Sequence, residues 1–411
     1  MTFLREYAAT DAAARTSLTR RWLAERPRAL FAELQSEQPI FITPGFALVT
    51  RYADVLEVLG RGDVFLAHAL EARRQPLIGG FSLDEHEGPR PALEAAVLRA
   101  CVRSDDAALV GGLARDAATA ALAIARDEGG FDLVADVGHV VAGRVAAAYL
   151  GVGGPDEVTL ARWIAAIATD IEDNPTDDPA IHHAARAAVA ELGGYTDVLL
   201  ASRRSRATVG APVGDDLLGR LVALQPVAHL GLDDRRVREL VLGLLVALVE
   251  PLSAAITLAL AELLDRPEAL GHARGAAAAG EDPALWAILR EALRFNPPRQ
   301  TVARICGQAY TLAKGTDREL VVRPGTLVLA ATAAAAFDPE RVDDPDHFRL
   351  GRPAHHDFLF GHGPHACLGR QLGAAAVREA CKAVLLAGDI RQVGPLQRDG
   401  HRPLSLPIEF P

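Results

Sequence analysis

Phe360-Gly361-His362-Gly363-Pro364-His365-Ala366-Cys367-Leu368-Gly369-Arg370 reads as a loop that turns into a helix at its cysteine. Glycine, proline and histidine break any apolar period up to Cys367, and an Ala-rich helical pattern runs from Leu368 to Leu386. Cys367 therefore falls at a helix N-terminus. Free backbone N–H groups and the positive end of the helix dipole lower a thiol's pKa there and favour the thiolate. A thiolate so placed is a good ligand for a soft metal or for haem iron. Gly361 and Gly363 suit tight turns, and Gly369 removes a side chain where a flat group must approach the backbone. Two other readings stay open on these residues alone. One is a buried cysteine in a Gly-rich turn. The other is zinc, because His355, His356, His362 and His365 are close by. Against zinc, neither a CxxC pair nor the usual histidine spacing of structural sites is present.

The chain around this loop has 411 residues, 50% hydrophobic and 23% charged, which excludes a disordered protein and a small disulfide scaffold. Its net charge is −10 and only 5% of residues are aromatic. A broad nucleic-acid face needs cations for phosphates and rings for bases, so no nucleic-acid partner is expected. Cys101, Cys306, Cys367 and Cys381 are far apart, which points to a reducing compartment. Met1-Thr2-Phe3-Leu4-Arg5-Glu6 lacks the apolar run of a secretory signal, and Glu6 and Asp11 argue against an organelle transit peptide. The expectation is a cytoplasmic protein. Residues 240–264 are long and apolar enough to cross a bilayer, but Glu250, Pro251, Ser253 and Glu262 interrupt them. Carboxylates in mid-membrane are costly. A helix buried on all sides within a large protein fits better, with no membrane partner.

Apolar residues at helical spacing place helices over 54–59, 92–126, 134–150, 157–171 and 180–202. Asp233 or Asp234 caps the long helix that follows, and Pro267 marks its end region. Another helix covers 284–295 and stops at Asn296-Pro297-Pro298. Strand signals are few. Ile40-Phe41-Ile42 and Ala47-Leu48-Val49 flank Pro44-Gly45 as one hairpin. Leu320-Val321-Val322 and Leu327-Val328-Leu329 flank Pro324-Gly325 as a second, and Asp399-Gly400 suggests a third. Residues 172–178 and 203–215 read as surface loops. No internal repeat is evident, and the fold class is mainly α.

The spacing Phe-x-x-Gly-x-His-x-Cys-x-Gly, filled by Phe360, Gly363, His365, Cys367 and Gly369, resembles the haem-binding signature of the cytochrome P450 family. The resemblance extends from about Ile40 to the C-terminal hairpin. It implies a cytochrome P450-like fold with small β-hairpins and sheets at its margin, as a single domain over 1–411 and a monomer. It implies haem b as cofactor, with Cys367 on the iron and Phe360, Gly361, His365 and Gly369 around the porphyrin. Glu291-Ala292-Leu293-Arg294 matches the family's Glu-x-x-Arg, whose i,i+3 spacing puts both side chains on one helix face. By resemblance this pair is buried beside the haem loop. Pro345-Asp346-His347-Phe348 resembles the segment that supplies its third partner, with His347 where Arg is common. Arg304, and His86 with Arg90 four residues on, stand where relatives hold the haem propionates, as does His365. Two carboxylates in an apolar slot need cations converging on them.

The long helix departs from the family. Aligning the acid of Ala/Gly-Gly-x-Asp/Glu-Thr-Thr/Ser lays Ala247-Leu248-Val249-Glu250-Pro251-Leu252 on that motif. Glu250 keeps the acid, Leu248 takes the small Gly position, and Pro251 and Leu252 replace the alcohols. In relatives the alcohol after the acid steers protons during dioxygen activation. Pro251 can neither donate nor accept such a bond, lacks an N–H, and should kink the helix and free the carbonyl of Ala247. Ala247, Glu250, Pro251 and Leu252 are the candidate catalytic segment. Pocket walls implied by the resemblance are Ala247, Leu248, Pro298, Thr301 and Val302, which suits a small lipophilic substrate. The leading expectation is a monooxygenase fed by a separate ferredoxin and ferredoxin reductase, since the chain has no flavin or nicotinamide fingerprint. A peroxygenase, or an isomerase, dehydratase or coupling enzyme, is the alternative that Pro251 motivates. A haem-binding module without catalysis is the third.

Overall fold

The computed structural model describes residues 2–81, 83, 89–174 and 176–410. They pack as two compact units. One comprises Met1–Ala69, Ala287–Cys367 and Arg398–Arg402, and the other Leu70–Trp286, Leu368–Gln397 and Pro403–Pro411.

The first unit is built on a five-stranded sheet in the order Ile40–Ile42, Ala47–Val49, Leu327–Ala330, Val302–Cys306, Phe65–Leu66. The first hairpin forms as the sequence suggests, with Ile40 opposite Val49. The second does not. Leu320–Val322 pairs with Tyr310–Leu312, whereas Leu327–Ala330 runs parallel to Ala47–Val49 and antiparallel to Val302–Cys306. The turn at Pro324-Gly325 is real, with Gly325 at φ 79. Its Gly325 N–H, however, donates to the Cys306 carbonyl at 2.7 Å and so closes onto a third strand. Central position explains the diversion: Val328 and Ala330 are fully buried and need a partner on each edge. The Tyr52–Gly60 helix covers this sheet, packing Val55, Val58 and Leu59 on Phe65, Val328 and Ala330.

The second unit is helical. The Asp234–Leu264 helix runs through its middle, against segments Leu133–His139, Glu157–Glu172, Pro179–Thr208 and Arg370–Leu386. Asp233 caps it, accepting the Arg236 N–H at 2.8 Å. Close approach is allowed by Gly138, where a Cβ would lie 2.5 Å from Ser253 Oγ. Two expectations change. The helix over 92–126 is broken into Pro89–Cys101 and Ala107–Glu128. Between them Asp106 takes bonds from Tyr149 Oη at 3.0 Å and Arg220 at 2.8 Å. The loop expected over 203–215 starts later, because the Pro179–Thr208 helix continues to Thr208. The C-terminal hairpin turns at Asp399-Gly400, between Gln397–Asp399 and Arg402–Ser405.

Candidate functional site

Three of the four cysteines are buried; Cys367 is exposed. Its loop is held from both sides. The Gly361 N–H donates to the Phe358 carbonyl and the Cys367 N–H to the Phe360 carbonyl, both at 2.8 Å. Phe358 is buried against the Tyr52 ring, with centroids 5.1 Å apart, and Tyr52 Oη donates to the His355 carbonyl at 2.8 Å. Gly363 sits at φ 75, and a Cβ there would lie 2.2 Å from the Leu59 carbonyl oxygen. Only glycine lets this loop rest on the end of the Tyr52–Gly60 helix. The His365 ring then lies beside Gly62, whose added Cβ would be 3.6 Å from Nε2. The helix after the cysteine is Arg370–Leu386, with Gly369 at its N-cap, two residues later than the sequence pattern suggests. The Cys367 N–H is spent on the loop, and Ala366 is extended at ψ 148, so helical dihedrals begin only afterwards.

Arg304 lies on Val302–Cys306, opposite Val328, and is 6% exposed. Its guanidinium donates to the Ala303 carbonyl at 2.9 Å. Glu291 and Arg294 form the buried pair expected on one helix face, with Nε and Nη2 of Arg294 on the two carboxylate oxygens at 2.9 and 2.8 Å. The third partner is Arg352, which sequence reading missed. Its Nε donates to Glu291 Oε1 at 3.0 Å, and its other nitrogens reach the carbonyls of Asp343, Asp344 and His347. The His347 ring turns outward to Asp344, and only its backbone carbonyl serves the pair. Spacing could not reveal Arg352, because the turn between them decides which side chain points back. Burial would raise the Glu291 pKa. The Arg294 side chain, the Arg349 N–H and Arg352 overcome it and hold the carboxyl below its ordinary value.

On the second unit, the Asp234–Leu264 helix is not buried on all sides. Among the described residues from Leu240 to Leu264, Ala247 alone is exposed; Val246, Leu248, Glu250 and Pro251 are half-buried around it, and Leu252 is buried. Positions 247, 250 and 251 share one face, which carries the exposed residue of this stretch. The helix passes Pro251 without ending. Arg90 heads the Pro89–Cys101 helix and bonds Glu94 at 3.1 Å, a carboxylate that also takes Arg236. His86 lies outside the described residues.

These residues fit a haem. A thiol that is exposed while its three counterparts are buried, on a loop shaped by a glycine no other residue can replace, offers one soft donor. Arg304 and His365 lie in the same unit as this loop. A model of the family described as "Cytochrome P450" matches residues 177–387. The chain belongs to the cytochrome P450 family, and is thereby a haem-binding oxidoreductase of the monooxygenase type. It is 24% identical over 371 residues to "Pulcherriminic acid synthase" of Bacillus subtilis, covering 87% of each chain. It is 28% identical over 379 residues to "Mycinamicin IV hydroxylase/epoxidase" of Micromonospora griseorubida, covering 86% of each. Among solved structures, "Crystal Structure of CalO2" matches its fold with TM-score 0.81, at 23% identity over 98% of both chains.

Proposed function

We propose that this chain is a haem b monooxygenase that oxidises a small lipophilic secondary metabolite, as one catalytic domain over 1–411, monomeric and cytoplasmic. Electrons come from a separate ferredoxin and its reductase. The observation that carries the reading is the exposed Cys367 on its braced loop. Relatives named for hydroxylation and epoxidation of mycinamicin IV and for C-12 hydroxylation of erythromycin support the substrate class.

Cys367 would hold the iron through its thiolate. Phe360, Gly361 and Gly369 would leave room for the porphyrin, and Arg304, His365, Arg90 and His86 would offer cations to its carboxylates. When bound, a thiolate-ligated haem supplies oxidising power, because electron donation from sulfur favours O–O cleavage. The remaining work falls to the chain. Ala247, Leu248 and Leu252 exclude water with apolar surface. Glu250 is the ionisable group on the open face of its helix and holds or passes a proton there. Pro251 contributes no hydrogen bond, and this favours a second reading, in which peroxide replaces dioxygen and the reductase chain.

Two measurements test this. Cys367→Ser should abolish the carbon monoxide difference band of the reduced protein; a variant that keeps the band shows that another residue holds the iron. Product formed with ferredoxin, its reductase and NADPH supports the monooxygenase. Turnover with hydrogen peroxide alone supports the second reading.

A further inference from the structure

Because Gly363 lies directly on the Leu59 carbonyl, the cysteine loop is only as fixed as the last turn of the Tyr52–Gly60 helix. Helix ends fray, since their last carbonyls have no donor four residues on. Gly62 extends the seat, and a Cβ there would lie 3.3 Å from Pro364 Cγ. The seat leads straight to the sulfur. The Ala366 N–H donates to the Gly363 carbonyl at 3.1 Å, one residue before Cys367.

Four side chains hold this corner from outside the loop. Glu57, in the last helical turn, accepts from Tyr310 Oη at 2.6 Å and from the Ala313 N–H at 3.2 Å. Arg61, the C-cap, donates to both oxygens of Asp63 at 2.8 Å, and its Nη1 donates to Tyr310 Oη at 3.3 Å. Tyr310 Oη thus ties Glu57, before the corner, to Arg61 within it. The Tyr310 ring meets Phe65 edge-on, with centroids 5.3 Å apart, where the chain re-enters the sheet opposite Cys306. Arg61 and Asp63 are open to water, and an ion pair so placed contributes little. The bond from Tyr310 to the Glu57 carboxylate is half-buried and charge-assisted, and is the stronger tie.

We propose that Tyr310 and Glu57 are positioning residues for the haem ligand: their hydrogen bond fixes the seat beneath Gly363, and through it the place of the Cys367 sulfur. This rests on the reading of Cys367 as the residue that holds the iron. Both residues act through the loop, and neither belongs to its sequence signature.

The test follows how fast the reduced, haem-loaded protein with carbon monoxide loses its thiolate difference band, without denaturant. Tyr310→Phe keeps the ring on Phe65 and removes the donor. It should lose the band about tenfold faster than wild type, a ratio that one hydrogen bond to a charged acceptor supports. Glu57→Ala should match it, and Glu57→Gln, which keeps an acceptor for Tyr310, should fall between them and wild type. A merely structural role is separated by Arg318→Lys. Arg318 braces the first turn of the same helix through Asp54, at 3.0 and 3.1 Å, away from the seat. That variant should unfold at lower denaturant yet lose the band at the wild-type rate. A wild-type rate in Tyr310→Phe and Glu57→Ala, or equal acceleration in Arg318→Lys, overturns the proposal. If Tyr310→Phe takes up no haem, Glu57→Gln against Arg318→Lys decides the same point. A wild type that never shows the thiolate band instead sinks the reading on which the proposal rests.

Discussion

The Glu291 cluster and the middle of the Asp234–Leu264 helix treat hydrogen bonding in opposite ways. Around Glu291, two guanidiniums and the Arg349 N–H converge on one buried carboxylate, and Arg294 and Arg352 spend their remaining donors on nearby carbonyls. At Ala247–Pro251, the helix carries an exposed alanine and a proline with no N–H to donate. A saturated cluster stores rigidity, since every group removed strands another. An unsaturated face stores binding capacity for whatever arrives.

Breaking the saturated side should have the largest effect. Arg294→Ala leaves Glu291 charged, buried and short of its bidentate partner, and should cost about 3–5 kcal/mol in denaturant unfolding, enough to threaten folding. Arg352→Ala removes one of the two cations and should cost about 1–3 kcal/mol. His347→Ala should stay within about 0.5 kcal/mol, because only its backbone takes part. Equal losses for the last two would return His347 to the role the sequence suggests.

The smallest effect is confined to acid. The Glu291 pKa is lowered in the folded chain. Its contribution is therefore complete above the ordinary glutamate value of about 4.3 and is lost as pH falls through the lowered folded value. The stability gap between wild type and Glu291→Gln should narrow below about pH 4. A gap that stays constant down to pH 2 would mean that the carboxylate gains nothing from its cluster.

Much of this was legible in the residues. The cysteine loop was readable because its signature residues lie in one contiguous run; its packing on the Tyr52–Gly60 helix was not. Glu291 and Arg294 were readable for the same reason, being one helical turn apart. Arg352 was not, because the turn after Phe348 sets which cation returns to Glu291. Nor was the partner of Leu327–Ala330, because strand pairing across distant segments depends on which edges are left open.

The sequence by itself determined the family and the presence of a proline within the long helix, both of them local chemical facts carried by residue type and spacing. The tertiary structure alone decided that Arg352 completes the buried cluster, that Leu327–Ala330 is a central strand, and that Ala247 is the exposed residue between Leu240 and Leu264. Burial is a property of everything packed around a position, and no stretch of sequence contains its own surroundings.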